Sequence, residues 1–503
     1  MRIALWHGWL LEGSGSNVAT ARIAEVLRAS GHDVLLVCQE AHPERYPWID
    51  ASGTVDADGL SELVPNAAEA APGRCVLLRP RIGRLLPVFV VDEYEGFGVK
   101  SFVDLTDAEL GEYLHRNVEA LRAAVTWHRS DLVIAGHAVP GPVVAKRALG
   151  PRPYVAKVHG SDLEYAIRPD SRYRALASEG LRAARAVVGA SADVLNRCIE
   201  LVPGIEHLVR IVPPGVSANF RPRPRAEALL ATAETLDRDP ETANGRPVTL
   251  DAEVNRALEL RDAKALDELA TAYDQQAPDP GAADILRSLA PLEGPLIGYI
   301  GKLIPQKGVS TMLAAAAASS TAPPVLVVGF GSQREWLHAL VRALRSGDRE
   351  ALAWLREAGG MPLDLDLPPR PDLRVAFTGR LDHRYAPGAL AALDVLVVPS
   401  ILDEAFGMVG IEGAAAGALP LVARHSALAE VVGAFEAAVG RPGLFSFEPG
   451  PRAARNLVER VDDLVSLPSE ERDELRERVA AFAAREWSWN RTASHLLEAA
   501  GAG

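Results

Sequence analysis

Short apolar runs separated by amphipathic stretches recur along the chain in two series. The first comprises residues 3–7, 34–39, 75–78, 88–91, 132–135, 155–158, 187–190 and 209–212. The second comprises residues 296–300, 325–328, 375–378, 395–398, 419–422 and 444–447. Runs this short and this apolar fit strands buried on both faces, and the stretches between them fit helices. Strands alternating with helices predict parallel sheets covered on both sides. The fold class is therefore α/β, with two doubly wound, Rossmann-like domains at 1–222 and 294–485. Each domain offers a ligand crevice where its strand order reverses, and a ligand in a cleft between the two would be held by both.

The break between the series has its own pattern. Residues 223–293 carry three helical stretches, at 226–235, 251–273 and 282–289, joined by polar, Pro- and Gly-containing segments. This segment holds about half of the chain's net charge of -13. It reads as an acidic helical insertion. A second insertion is expected at 340–371, helical over 346–357 and Pro-rich over 361–371. Both read as solvated decoration, with an oligomer contact or an acceptor-shaping lid as the sharper alternatives. A last helix, 486–503, follows Trp487-Ser488-Trp489.

Composition narrows the class. Of 503 residues, 48% are hydrophobic and 24% charged, which is ordinary for a globular protein. No apolar run approaches membrane-spanning length, and the N-terminus leads straight into a strand without a leader pattern. Cys38, Cys75 and Cys198 are scattered and odd in number, as expected of buried thiols in a reducing cytoplasm. The negative charge argues against nucleic acid or anionic lipid as the main partner. Abundant Ala, Arg, Gly and Pro with few Lys fit a high-GC bacterium.

The candidate chemistry concentrates in Pro399-Ser400-Ile401-Leu402-Asp403-Glu404-Ala405-Phe406-Gly407-Met408-Val409-Gly410-Ile411-Glu412. An apolar strand ends in a polar loop, and a helix opens near Gly407. Glu404 lies in the loop and Glu412 inside the helix. Unpaired amides at a helix start suit a phosphate, and carboxylates suit sugar hydroxyls. The run continues through Gly413-Ala414-Ala415-Ala416-Gly417-Ala418-Leu419-Pro420-Leu421-Val422-Ala423. This resembles the E-x7-E segment of retaining glycosyltransferases of family GT4, which have the GT-B fold.

Other segments resemble the same family. Gly298-Tyr299-Ile300-Gly301-Lys302-Leu303-Ile304-Pro305-Gln306-Lys307-Gly308 is similar to its G-R-L-x-x-x-K-G loop, with Lys302 where Arg is usual. Lysine keeps the charge but loses the bidentate fork. Two cations there can neutralise a departing diphosphate. Lys157-Val158-His159-Gly160-Ser161-Asp162-Leu163 resembles the H-G-S-D-L segment, whose His faces the sugar. His137 and Asp162 are candidates for acceptor hydroxyls, although capping accounts equally well for Asp162. Gly13, Ser14 and Gly15 lie in a loop similar to the family's glycine-rich loop. Arg380 and Leu381, after Thr378-Gly379, resemble the loop that brackets the donor's base. Trp6 and Trp9 read as core, with acceptor stacking as the alternative.

The resemblance implies transfer of a glycosyl group from a nucleotide-diphosphate sugar with retention at the anomeric carbon. His159, Glu404, Lys307 and Lys302 would carry the reaction. Gly13, Ser14, Gly15, Arg380, Leu381, Phe406, Gly407, Met408, Val409 and Glu412 would bind the donor. No D-x-D motif stands in a suggestive loop, so neither metal nor cofactor is expected. The partners implied are the nucleotide sugar and a small-molecule or glycan acceptor. Three other readings stay open: an epimerase or phosphorylase on the same fold, a non-catalytic sugar-nucleotide binder, and an NAD-dependent oxidoreductase. The last lacks a complete G-x-G-x-x-G at either Gly8–Asn17 or Gly329–Arg334.

Overall fold

The structure, a computed structural model, describes residues 1–90, 94–363 and 367–501. The expected strand at 88–91 and the second insertion at 340–371 therefore run partly outside the described residues. The chain forms two compact units, Met1–Gly215 with Trp487–Gly503, and Val216–Glu486. The sequence reading placed the first boundary at 222.

Unit 1 contains twelve strands among the described residues: β1 (Arg2–Trp6), β2 (Asp33–Val37), β3 (Ala51–Asp56), β4 (Gly59–Leu60), β5 (Val64–Pro65), β6 (Arg74–Pro80), β7 (Leu85–Val88), β8 (Gly98–Ser101), β9 (Leu132–Gly136), β10 (Val155–Lys157), β11 (Ala186–Gly189) and β12 (Val209–Ile211). The main sheet runs β12-β11-β10-β9-β1-β2-β6-β3-β4, with β5 paired to β3. Its central strands are parallel, with Ile3 opposite both Val34 and Leu132. Strand order reverses at β1, so the C-terminal ends of β1, β9 and β10 open one crevice. The helix Trp489–Ala499 belongs to this unit, with Thr492 Oγ1 donating to the Pro213 carbonyl at 2.8 Å.

One expectation is corrected here, and one strand was not foreseen. In the described part of the expected run, 88–90, β7 ends at Val88, and among the described residues it pairs with β8 in a separate parallel ribbon and not with the main sheet. The strand β3 was missed because Ser52, Gly53 and Thr54 break its apolar run; half-buried near the sheet edge, it needs no continuous apolar face.

Unit 2 contains a six-stranded, wholly parallel sheet in the order β15-β14-β13-β16-β17-β18. Its strands are β13 (Ile297–Lys302), β14 (Val325–Phe330), β15 (Val375–Phe377), β16 (Val395–Val398), β17 (Leu419–Ala423) and β18 (Ser446–Phe447). The order reverses between β13 and β16. The 223–293 segment folds as helices Arg225–Leu236, Leu250–Leu260, Ala263–Leu269 and Ala282–Leu289. The single helix expected over 251–273 is broken because Arg261 turns left-handed (φ 55°) and Asp262 caps the next helix through the Ala265 amide. The helix expected at 346–357 instead starts at Arg349, capped by Asp348 after the left-handed Gly347.

The segment is built into unit 2 and does not project from it. Arg246, with a side chain 3% exposed, forks onto the fully buried Glu335 carboxylate, and Tyr273 donates to the same group at 2.9 Å. Among the described residues no helix is long and apolar enough to cross a membrane.

Candidate functional site

In unit 2 the site forms where β13 and β16 end. Gly308 (φ 68°) approaches the Pro399 carbonyl so closely that a Cβ would lie 2.0 Å from its oxygen. Only glycine permits this contact. It draws the Pro305–Lys307 turn against the loop after β16, where the Ile401 amide donates to the Gln306 carbonyl at 2.9 Å. Lys307 Nζ consequently donates to Glu404 Oε1.

The Glu404 carboxylate is further held by the Ser400 hydroxyl at 3.0 Å, and its amide donates to Ser426 Oγ at 3.2 Å. Ser426 holds φ 45°, a left-handed conformation that side-chain-bearing residues seldom adopt. His425 Nε2 donates to the Ser400 carbonyl at 2.6 Å. The Lys307 and Glu404 side chains are 24% and 20% exposed, so their pair is only partly screened by water.

Gly407 (φ 86°) turns this loop into the helix Met408–Ala415, where the Gly410 amide donates to the Gly407 carbonyl at 3.0 Å and the amides of Met408 and Val409 precede any intrahelical acceptor. Phe406 is buried, whereas Met408, Val409 and Glu412 are half-buried. Lys302, at the end of β13, and Arg380, after β15, flank the ring of Phe330 with cations 5.9 and 5.6 Å from its centroid. Leu381 is buried. The structure thus gathers Lys307, Glu404 and the 406–412 turn in one loop cluster, and Lys302 with Arg380 around Phe330. Sequence reasoning missed Phe330, Ser400, His425 and Ser426. The strained Ser426, directly after His425, leaves no mark in composition or periodicity.

In unit 1, imidazoles gather at the ends of β1, β9 and β10. The His137 ring lies 4.5 Å from that of His159 and 5.6 Å from that of His7. His7 Nε2 donates to Asn17 Oδ1 at 2.8 Å, and burial pushes His7 down to about 4. Burial also holds His137 and His159 well below the usual histidine value. These rings are therefore neutral near pH 7. His137 is buried at φ 66° against Trp9 and Phe89, and its Nδ1 has no partner among the described residues. His159 is half-buried and accepts from Lys157 Nζ at 3.3 Å. Burial draws Lys157 down to about 8. Lys157 was not singled out from the sequence, though it stands two positions before His159.

Of the two roles open to Asp162, acceptor binding and capping, its contacts fit capping. Its side chain is fully buried, and its oxygens accept from the backbone amides of Ala138, His159 and Leu163. It fixes the loops that carry His137 and His159 and presents no oxygen to solvent. Gly13, Ser14 and Gly15 belong to unit 1, apart in the chain from the other expected donor residues. Ser14 caps the helix Gly15–Ala29 by accepting from the Asn17 amide at 3.3 Å. Trp9 is core, with its Nε1 donating to the Pro87 carbonyl at 2.8 Å. Among the described residues no group of three His, Cys, Asp or Glu is arranged to hold a metal.

Comparison with known proteins adds to this geometry. Residues 14–215 match the family model described as glycosyl transferase 4-like domain, and residues 372–483 match glycosyl transferases group 1. A 2-deoxystreptamine N-acetyl-D-glucosaminyltransferase of Streptomyces fradiae is 33% identical over 134 residues, covering 25% of this chain and 26% of that protein. A GDP-mannose-dependent alpha-(1-6)-phosphatidylinositol dimannoside mannosyltransferase of Mycobacterium tuberculosis is 31% identical over 148 residues, covering 29% of this chain and 32% of that protein. The chain thus matches about a quarter to a third of the length of these relatives. Among solved structures, sucrose-phosphate synthase from Thermosynechococcus elongatus aligns with a TM-score of 0.58 at 18% identity, over 99% of this chain and 97% of the other. Anabaena HepE, in complex with UDP and glucose, aligns with a TM-score of 0.58 at 14% identity, over 100% of both chains. At these identities the likeness is one of fold.

Proposed function

The chain belongs to the GT4-like glycosyltransferases of GT-B fold, and from that premise we propose that it moves a sugar from a nucleotide-diphosphate sugar to a hydroxyl-bearing acceptor with retention at the anomeric carbon. The observation that carries this reading is the Lys307–Glu404 pair beside the start of the helix Met408–Ala415. Cation, carboxylate and helix-start amides there match the three parts of such a donor. Lys307, Lys302 and the amides near Met408 take the diphosphate. Glu404 exchanges Lys307 for sugar hydroxyls, Glu412 accepts from the ribose, and the loop at 379–381 brackets the base.

Retention normally calls for a protein nucleophile, and among the described residues no carboxylate is assigned that role. The proposed course is front-side. The acceptor oxygen bonds to the anomeric carbon as the carbon–phosphate oxygen bond breaks, and the acceptor's proton passes to the departing phosphate. The protein supplies position and charge, with no metal assigned to a step. In unit 1, His159 offers a neutral imidazole to sugar or acceptor hydroxyls. The UDP and glucose bound by the Anabaena neighbour and the GDP-mannose dependence of the mycobacterial relative support a nucleotide-sugar donor.

Thermal-shift measurement against UDP-, GDP-, ADP- and dTDP-sugars tests this. One donor class is expected to raise the unfolding midpoint, and Lys307→Ala to remove most of that shift. Indifference of the wild-type chain to all four classes would contradict the reading.

A further inference from the structure

The acidic insertion does more than cover unit 2. Asp279, 7% exposed, reaches the end of β15 from the insertion. Its amide donates to the Thr378 carbonyl at 2.9 Å, and Pro278 bridges Gly379. From the other side, the Gly329 amide donates to the Gly379 carbonyl at 2.9 Å. Gly379 (φ 74°) lies so close that a Cβ would stand 2.6 Å from Asp279 Oδ1 and 3.0 Å from the Ala277 carbonyl. The Asp279 carboxylate is in turn gripped by Arg334, whose Nη1 donates to Oδ1 at 2.9 Å and whose Nη2 donates to Oδ2. Arg334 is 2% exposed and begins the helix that follows the Gly329-Phe330-Gly331 loop. Its neighbour Gln333 donates its amide to the Leu303 carbonyl at 2.9 Å, beside Lys302.

We infer that Asp279, held by Arg334, is a positioning residue that sets the 379–381 loop for the nucleoside end of the donor, making the insertion part of donor specificity. This rests on the donor reading given above. Residues 302 and 307 face the diphosphate in that reading, and residues 379–381 the base. Neither Asp279 nor Arg334 is assigned any contact with the ligand. Both act by fixing the backbone at Thr378 and Gly379. A buried ion pair suits such a role because breaking it leaves a charge without a partner, so the loop has one well-defined position.

The separation of the two donor ends gives a test that a merely stabilising pair would not pass. Calorimetry on the full chain would compare UDP, GDP, ADP and dTDP with inorganic pyrophosphate, for wild type, Asp279→Asn and Asp279→Ala. The nucleoside diphosphate preferred by the wild type is expected to lose about tenfold or more in affinity in the variants, while pyrophosphate changes by less than about twofold. Arg334→Lys keeps the charge but loses the two-pronged grip on Asp279; it gives the same readout should the Asp279 variants fail to fold. Unchanged nucleotide affinity in a folded variant, or equal losses for nucleotide and pyrophosphate, would overturn the inference alone. Failure of the wild type to bind any of the four would overturn the donor reading with it.

Discussion

Lys307 and Glu404, 97 positions apart in the chain, share a hydrogen bond between Nζ and Oε1 at the mouth of the unit 2 crevice. Each is the other's partner before a donor arrives, and the proposed donor supplies a phosphate for one and hydroxyls for the other. In the proposed reaction Lys307 is the cation that meets the departing diphosphate. Lys307→Ala should lower turnover on the order of 100-fold, as loss of a preorganised electrostatic stabiliser does. The double variant with Glu404→Ala should fall well short of the sum of the single losses. Steady-state kinetics on the three proteins checks this; additive losses would mean that the two side chains act independently.

Glu412 lies within the helix that follows Gly407 and is half-buried. If Glu412 takes the proposed role of acceptor for the ribose hydroxyls, Glu412→Ala should weaken nucleoside diphosphate binding by about 1–3 kcal/mol. Calorimetry measures it. Undiminished affinity in a folded variant removes Glu412 from the site.

Lys157 faces the imidazoles of His7, His137 and His159 and the buried Asp162, and burial lowers it from 10.5 to about 8. A lowered lysine costs stability in full below the folded value. That cost fades as pH rises from about 8 towards 10.5, because the folded amine is then already neutral while the unfolded one still binds its proton. Lys157→Met should therefore unfold at or above the wild-type midpoint at pH 7, with the gap closing by pH 10.5. If Lys157 also holds His159 in its tautomer, turnover falls although stability does not. A variant less stable than wild type at pH 7 would show that Lys157 is a structural residue.

Much of this was legible in the sequence, for a physical reason. In a parallel sheet the strands are buried on both faces, so β1, β9, β13 and β16 stand out as apolar runs, and the residues just after them sit where ligands bind. His137 and Glu404 stand at such strand ends, while His159, Lys302 and Lys307 were singled out by the resemblance of their segments to the GT4 family. What could not be read was partnership. Nothing in the order of residues brings Ser426 to Glu404, Lys302 and Arg380 to the ring of Phe330, or Asp279 against Gly379, because tertiary packing alone joins them. For Asp162 the capping reading was open from the sequence, because the amides of His159 and Leu163 are its neighbours in the chain; only the third amide, of Ala138, is brought to it by the folded loops. The strand β3 and the break at Arg261 escaped because local backbone geometry and an edge position overrode the apolar pattern.

The insertion's attachment is open to a stability measurement. Arg246 and Glu335 are both essentially inaccessible and joined by two-pronged contacts. Glu335→Ala leaves the Arg246 guanidinium without its main buried partner, which should cost about 3–5 kcal/mol. Urea unfolding of the variant checks this. A loss below about 1 kcal/mol would mean that the insertion is only loosely seated on the helix Arg334–Ser346.

The stereochemistry of transfer tests the central claim most directly. Front-side reaction, with Lys307 and the amides near Met408 on the leaving diphosphate and the departing phosphate taking the proton, keeps the anomeric configuration. Inversion would need a general base on the opposite face of the sugar. Proton NMR of the first product formed from an α-linked nucleotide sugar reads the configuration from the anomeric coupling. The account predicts an α-linked product. A β-linked product would contradict it and would turn attention to His159 or His137 as the base.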